Sequence, residues 1–121
     1  MAIRFYRDLE AWQLGMQFVV LVYDLTKRFP REEIYGLTSQ LRRAAISVPS
    51  NVAEGHQRSH STYLHFVVIA LGSLAEAETQ IDLAERLQFV TNANTHTVRE
   101  LGTRLRQVLH GLRRSLTTTA L

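Results

Sequence analysis

The chain has no cysteine among its 121 residues. Disulfides and thiolate metal sites are therefore excluded, and a reducing compartment is compatible with everything that remains. Proline occurs twice and glycine six times, and no strand-like alternation persists, so helices have few interruptions to overcome. Long apolar runs are missing too. The longest, Phe18–Val22 and Phe66–Leu71, fall short of the roughly 20 residues of a membrane span and the roughly 7–15 of a signal-peptide core. Arg4 and Arg7 near the start are followed by Asp8 and Glu10 before any apolar stretch. The expectation is a cytoplasmic protein without a membrane segment. Lysine is nearly absent: Lys27 is the only one, and the other basic residues are arginines. Arginine keeps its charge and grips phosphate or carboxylate in a fork; genomic base composition is an equally good source of the bias.

What is present is ordinary for a folded chain. Hydrophobic residues make up 45% and charged residues 21%, which excludes disorder. The length fits one domain over residues 1–121.

Helical spacing recurs four times. Helix 1 is expected from Asp8, as N-cap, to Arg28, ended by Phe29-Pro30. Leu9, Trp12, Met16, Val19 and Tyr23 form one apolar face; Leu14, Phe18, Leu21, Val22 and Leu25 lie on another side. A helix apolar on two sides must bury both. Either a second protomer covers the surplus face, or the bundle wraps this helix more fully. Helix 2 is expected from Ile34–Leu37 to Ala53 or beyond, with Leu37, Leu41, Ala45, Val48 and Val52 inward. Pro49 lies in it, because the periodicity continues across that position. The reading is a kink at Pro49, with two short helices, the second capped by Ser47, as the alternative. Helix 3 is expected over Ser61–Gln88, on a stripe of Tyr63, Phe66, Val67, Ala70, Leu74, Ala77, Ile81 and Ala84. Small residues at Ala70, Ser73 and Ala77 permit a close neighbour. Thr97-Val98-Arg99-Glu100 reads as a capping box opening helix 4, with Thr95 or Asn94 as caps one turn earlier. Val98, Leu101, Leu105, Val108 and Leu112 form its seam. The tail from Thr117 to Ala120 is expected to fray. Four amphipathic helices on short connections predict an all-α, antiparallel, up-and-down four-helix bundle with helix 2 kinked at Pro49.

The formal net charge of +3 is unevenly spread. Residues 1–59 carry +2, residues 60–90 carry −3 and residues 91–121 carry +4. Arg99, Arg106 and Arg113, seven apart, share a helical face beside the seam. Such a stripe suits a phosphate backbone. It equally suits pairing with Glu78, Asp82 and Glu85 on helix 3, within or between protomers. Arg42 and Arg43 are further candidates for a nucleic-acid surface.

Catalytic and metal constellations do not stand out. The Glu-x-x-His pattern of di-iron bundles is missing. There is no Gly-x-Ser-x-Gly elbow and no glycine-rich phosphate loop. His56 and His60 have metal-compatible spacing but straddle a helix boundary without a carboxylate nearby, so polar contacts are expected of them. No enzyme activity and no cofactor are expected. Asn51, Glu54 and Arg58 form a polar cluster just after Pro49. Glu54 and Arg58 have the favourable helical pair order, and the cluster suits relief of the carbonyl that Pro49 frees. A binding role for it is the alternative.

From Leu37 to Gly55 the chain reads Leu-Thr-Ser-Gln-Leu-Arg-Arg-Ala-Ala-Ile-Ser-Val-Pro-Ser-Asn-Val-Ala-Glu-Gly. Phe-Val-Val-Ile-Ala-Leu-Gly-Ser follows from Phe66, and Glu-Ala-Glu-Thr from Glu76. With Phe5, Leu9, Trp12 and Phe29-Pro30 upstream, this resembles the four-helix bundle family of proteins encoded in intervening sequences of 23S ribosomal RNA genes. The resemblance implies an up-and-down bundle assembled as a homopentamer, with no established enzymatic activity. That family is also similar to the accessory protein of diversity-generating retroelements, a pentameric barrel whose basic surface binds nucleic acid. RNA or DNA is thus an implied partner. The competing expectation is an oligomeric scaffold or adaptor that recruits a protein and binds no nucleic acid.

Overall fold

Trp12 is met edge-on by Tyr6, ring centroids 5.5 Å apart, and this contact decides how the first helix begins. In the computed structural model, which describes residues 5–119, Tyr6–Asp8 form a single 3-10 turn. Helix α1 then runs over Glu10–Thr26 with Leu9 at its N-cap. Asp8 is therefore not the cap; it ends the 3-10 turn one residue before the N-cap. Phe29 closes the other end, its amide bonding the Thr26 carbonyl, while Pro30 prevents continuation. The helix stops two residues before Arg28.

Of the two apolar sets on α1, the one containing Leu14, Phe18, Val22 and Leu25 is buried. Trp12 and Val19 are half-buried flanks, and Met16 and Tyr23 are exposed. The surplus face is real within one protomer.

Helix α2, Leu37–His56, continues unbroken through Pro49, so two separate helices are not formed. The expected stripe Leu37, Leu41, Ala45, Val48 and Val52 is buried throughout. Pro49 is buried as well and lies against Gly15 of α1: a Cβ built there would stand 3.2 Å from the Pro49 Cβ. Ser47 caps nothing; its hydroxyl meets that of Ser73 on α3 at 2.8 Å. At the start of α2 a Glu33 carboxylate oxygen accepts the Leu37 amide at 3.0 Å, serving a donor that the helix itself leaves open.

Helix α3, His60–Arg86, is about 40 Å long at 1.5 Å per residue. It ends in a Schellman motif: the Phe89 amide reaches the Ala84 carbonyl and the Gln88 amide reaches Glu85, both at 2.9 Å. Gln88 has φ 64°, the left-handed region that glycine tolerates best. Gln88→Gly is expected to raise stability by about 0.5–1 kcal/mol in urea melts. A loss of stability would show that the Gln88 side chain makes up for its backbone strain.

Helix α4 spans Asn92–Thr119 and starts earlier than Thr97. The reason is a reciprocal cap that begins six residues upstream, at Thr91. The Thr91 hydroxyl accepts the Asn94 amide at 3.2 Å, and the Asn94 side-chain oxygen accepts the Thr91 amide at 3.0 Å. Asparagine fills the position that the Ser/Thr-x-x-Glu pattern reserves for an acid. Thr97 and Glu100 lie inside the helix, where Glu100 pairs with His96. Val98, Leu105, Leu109 and Leu116 are buried, whereas Leu101, Val108 and Leu112 are half-buried. The core-facing line is thus rotated from the expected seam. Thr117 to Thr119 are helical rather than frayed; Ala120 lies outside the described residues.

Each helix packs on its sequence neighbours, and α4 closes onto α1. The backbones of α1 and α3, and those of α2 and α4, stay farther apart than those of neighbouring helices; they are the two diagonals of an all-α four-helix bundle. The core runs through Phe18, Leu41, Leu74, Ile81, Leu105 and Leu109, all fully buried.

Candidate functional site

The arginines of α4 face α3 closely enough to meet its acids. Arg99 places Nη1 2.6 Å from Asp82 and Nη2 2.9 Å from Glu85. The same Glu85 oxygen accepts the hydroxyl of Thr95, a residue with no exposed surface. These hydrogen bonds, from Thr95 first and then Arg99, hold the Glu85 carboxyl below the usual carboxylate range against the opposing pull of burial. Arg106 donates to Glu78 at 2.5 Å. Pairing within the protomer therefore takes up two of the three stripe arginines. Arg113 is exposed and has no acidic partner among the described residues. It lines a shallow surface depression on α4 with His110, Arg114 and Thr117.

On α2, Arg42 and Arg43 part ways. Arg42 turns inward, its guanidinium carbon 4.3 Å from the Tyr23 ring centroid and its Nε donating to the Thr26 hydroxyl at 2.8 Å. Arg43 is exposed and lines a polar cleft with Gln40, Ser47, Ser73 and Glu76. The five candidate arginines do not form one surface: Arg99, Arg106 and Arg42 are committed to intramolecular contacts, leaving Arg43 and Arg113 on different helices.

The polar cluster after Pro49 is partly local. Arg58 and Glu54 pair at 2.9 Å with both side chains about half exposed. Asn51 donates to the Ser47 carbonyl at 2.7 Å and the Ser47 hydroxyl at 2.8 Å. The carbonyl that Pro49 displaces belongs to Ala45, so the expected relief goes instead to Ser47, the carbonyl one turn behind Asn51 that a short amide can reach. Through Ser47 and Ser73 this network bridges α2 and α3.

His56 and His60 diverge. His60 Nε2 lies 2.7 Å from the Leu116 carbonyl, tying the start of α3 to the last turns of α4. His56 meets Tyr63 edge-on, and among the described residues neither its Nδ1 nor the Tyr63 hydroxyl has a hydrogen-bond partner. Burial pushes the Tyr63 phenol up to about 12. Among the described residues no three histidine or acidic side chains converge as a metal site, and no helix is long and apolar enough to cross a membrane.

Some features escaped the sequence. Arg104 reaches Glu10, 94 positions away, at 3.1 Å; no local spacing signals such a pair. The outward side of α3 carries Val68, Gly72, Ala75, Thr79 and Leu83, all exposed and none charged. Their spacing of three and four could have been read as a second stripe. The larger residues of the inner stripe masked it.

The solved structure of a protein of unknown function from the S23 ribosomal protein family of Bacteroides thetaiotaomicron superposes on this chain with a TM-score of 0.78. It is 21% identical, and the match covers 85% of this chain and 97% of that one. At that identity the likeness concerns the fold. No curated protein matches. The model of the family described as 23S rRNA-intervening sequence protein matches residues 7–111. That span takes in all of α1, α2 and α3 and most of α4, and with it the Leu37–Gly55 run, so the chain belongs to the 23S rRNA-intervening sequence protein family.

Proposed function

We propose that this protein acts as a non-catalytic bundle that assembles with copies of itself into a closed ring, and that the ring is a scaffold for a partner. The observation that carries the reading is a pair of uncharged, exposed stripes on opposite sides of one protomer. On α1, Gln13, Met16, Gln17 and Val20 lie outward, with Val20 66% exposed. On α3 the stripe runs from Val68 to Leu83, each of these two 44% exposed. Because α1 and α3 are diagonal, these stripes face away from each other. Two different uncharged surfaces on opposite sides suit head-to-tail contact, in which one stripe meets the other on the next copy, and such contacts generate a ring where the rotation from copy to copy closes. A two-fold dimer would satisfy one stripe and leave the other wet. A homopentamer is the closed ring that the family resemblance implies.

The test uses two variants, each adding a charge to one stripe: Val20→Arg and Ala75→Arg. Light scattering of the parent chain should give several times the 13.8 kDa of one copy. Each variant alone should be a monomer. Mixed, they should form a one-to-one dimer, because the intact α3 stripe of the first meets the intact α1 stripe of the second. A monomeric parent chain, or assembly of either variant alone, sinks the proposal.

A second reading, RNA or DNA binding, is favoured by Arg113 and Arg114 lying beside His110 without acidic partners among the described residues. Arg106 is unsuitable as its probe, since Arg106→Glu would also set two carboxylates against each other at Glu78. The informative double variant is Arg43→Glu with Arg113→Glu. Under this reading it abolishes a retardation of RNA that weakens with salt; under the scaffold reading there is no retardation to lose.

A further inference from the structure

At the end of the bundle where α1 gives way to α2, an open cleft lies beyond both stripes. Thr26, Lys27, Arg31, Thr38 and Arg42 line it, with Phe29 and Ile34 beside them. None of its three cations has an acidic partner among the described residues. Arg42 is already positioned. Its face rests on Tyr23 and its Nε is held by the Thr26 hydroxyl, which in turn donates to the Tyr23 carbonyl at 3.1 Å. Both Nη groups remain without a hydrogen-bond partner among the described residues. An arginine fixed in this way loses little freedom on gripping an anion with its fork. Thr38 is only 3% exposed and lines the cleft as well. It stands in the first turn of α2, whose amides add positive potential. Lys27 offsets the negative end of α1; of the two acids on the connection, Glu33 is held by the Leu37 amide and Glu32 is exposed.

We infer that this cleft binds a small phosphate monoester. A monoester brings close to two negative charges and three acceptor oxygens, matching the three cations and the Thr38 hydroxyl that line the cleft. A carboxylate would leave part of that set unused. The apolar body of the ester would rest on Ile34, which is 47% exposed, beside the buried Phe29.

Calorimetric titration of the full chain with phenyl phosphate, at fixed chloride, tests this. One site per chain is expected, with a Kd of about 1 mM or tighter. Inorganic phosphate should compete. Arg42→Gln should weaken binding about tenfold or more, Arg42→Lys should fall between, and Thr38→Val should weaken it about threefold. Arg113→Gln, on a distant helix, should bind within about twofold of the parent chain. Far-UV circular dichroism establishes that each variant is folded. Thr38→Val, which keeps shape and leaves the Arg42 stack alone, carries the test if Arg42→Gln unfolds. Saturation that fails to appear by about 10 mM overturns the inference. So does equal weakening by Arg113→Gln, which would mark general surface attraction. A single-stranded RNA bound through Arg42 when phenyl phosphate is not would overturn it as well, since the cleft would then be reading a polymer.

Discussion

Gly55→Ala should destabilise the bundle by about 3 kcal/mol, although the same change favours a helix in isolation. Gly55 lies in the last turn of α2, buried against α3. A Cβ placed there would stand 2.7 Å from the Phe66 Cβ and 3.0 Å from the Tyr63 Cδ1. The first contact decides the sign. The Phe66 Cβ is the root of its side chain, so no rotamer moves it, and α3 itself must shift. Overpacking of a rigid contact costs about 1–3 kcal/mol and sometimes more, while alanine recovers at most about 1 kcal/mol of helix propensity. The movement would also disturb the Ser47–Ser73 bridge further along the same helix pair. Gly111→Ala is the control. Its Cβ would meet only the Arg114 Nη2 at 3.8 Å, the far end of a mobile side chain. There propensity acts alone, and a gain of about 0.5–1 kcal/mol is expected. Urea melts of both variants check the pair; a Gly55→Ala chain as stable as its parent would mean that α2 and α3 are not held this close.

The second large effect belongs to Glu85. Its carboxylate accepts from buried Thr95 and from two nitrogens of Arg99, joining the end of α3 to the start of α4. Glu85→Gln keeps the shape and removes the charge. Charge-assisted hydrogen bonds contribute about 1.5–3 kcal/mol where partly shielded, and the Glu85 side chain is 23% exposed. A loss of about 2 kcal/mol at neutral pH is expected. The pH dependence supplies an independent check. The folded chain holds this carboxyl below its ordinary range, so on acidification the unfolded chain takes up the proton first. The contribution is complete above the ordinary glutamate value of about 4.3 and disappears as pH falls through the lower folded value. The stability gap between the parent chain and Glu85→Gln should therefore shrink in acid. A gap that stays constant from pH 7 to pH 3 would show that shape rather than charge carries the effect.

Much of this was legible in the order of residues. The stripes of α2 and α3 are local periodicities, and every aliphatic position expected inward on them is buried. Phe29-Pro30 ends α1 because proline constrains its neighbour whatever surrounds it. The surplus of apolar residues on α1 was visible, but not which set would point in: two faces of one helix differ only in what another helix brings to them. The start of α4 was misplaced because Thr97 and Glu100 match a familiar pattern, while Thr91 and Asn94 perform the same exchange with an amide. The arginine stripe on α4 was correctly spaced. Whether it met phosphate or acid depended on the separation and rotation of α3, neither of which is written in a spacing of seven. Arg42 looked like Arg43 until Tyr23 and Thr26, sixteen and more positions earlier, came beneath it.

The amino-acid order thus settled the number of helices, their approximate ends and the residues able to leave water, because each of these follows from steric and hydrophobic preferences within a few turns of backbone. The tertiary structure decided which side of α1 is core, which cations are neutralised and which remain, and that two uncharged stripes point in opposite directions. Those outcomes depend on how closely and at what rotation four helices meet. Contacts such as Gly15 on Pro49 and Gly55 on Phe66 set that approach, and they join residues that no local window contains.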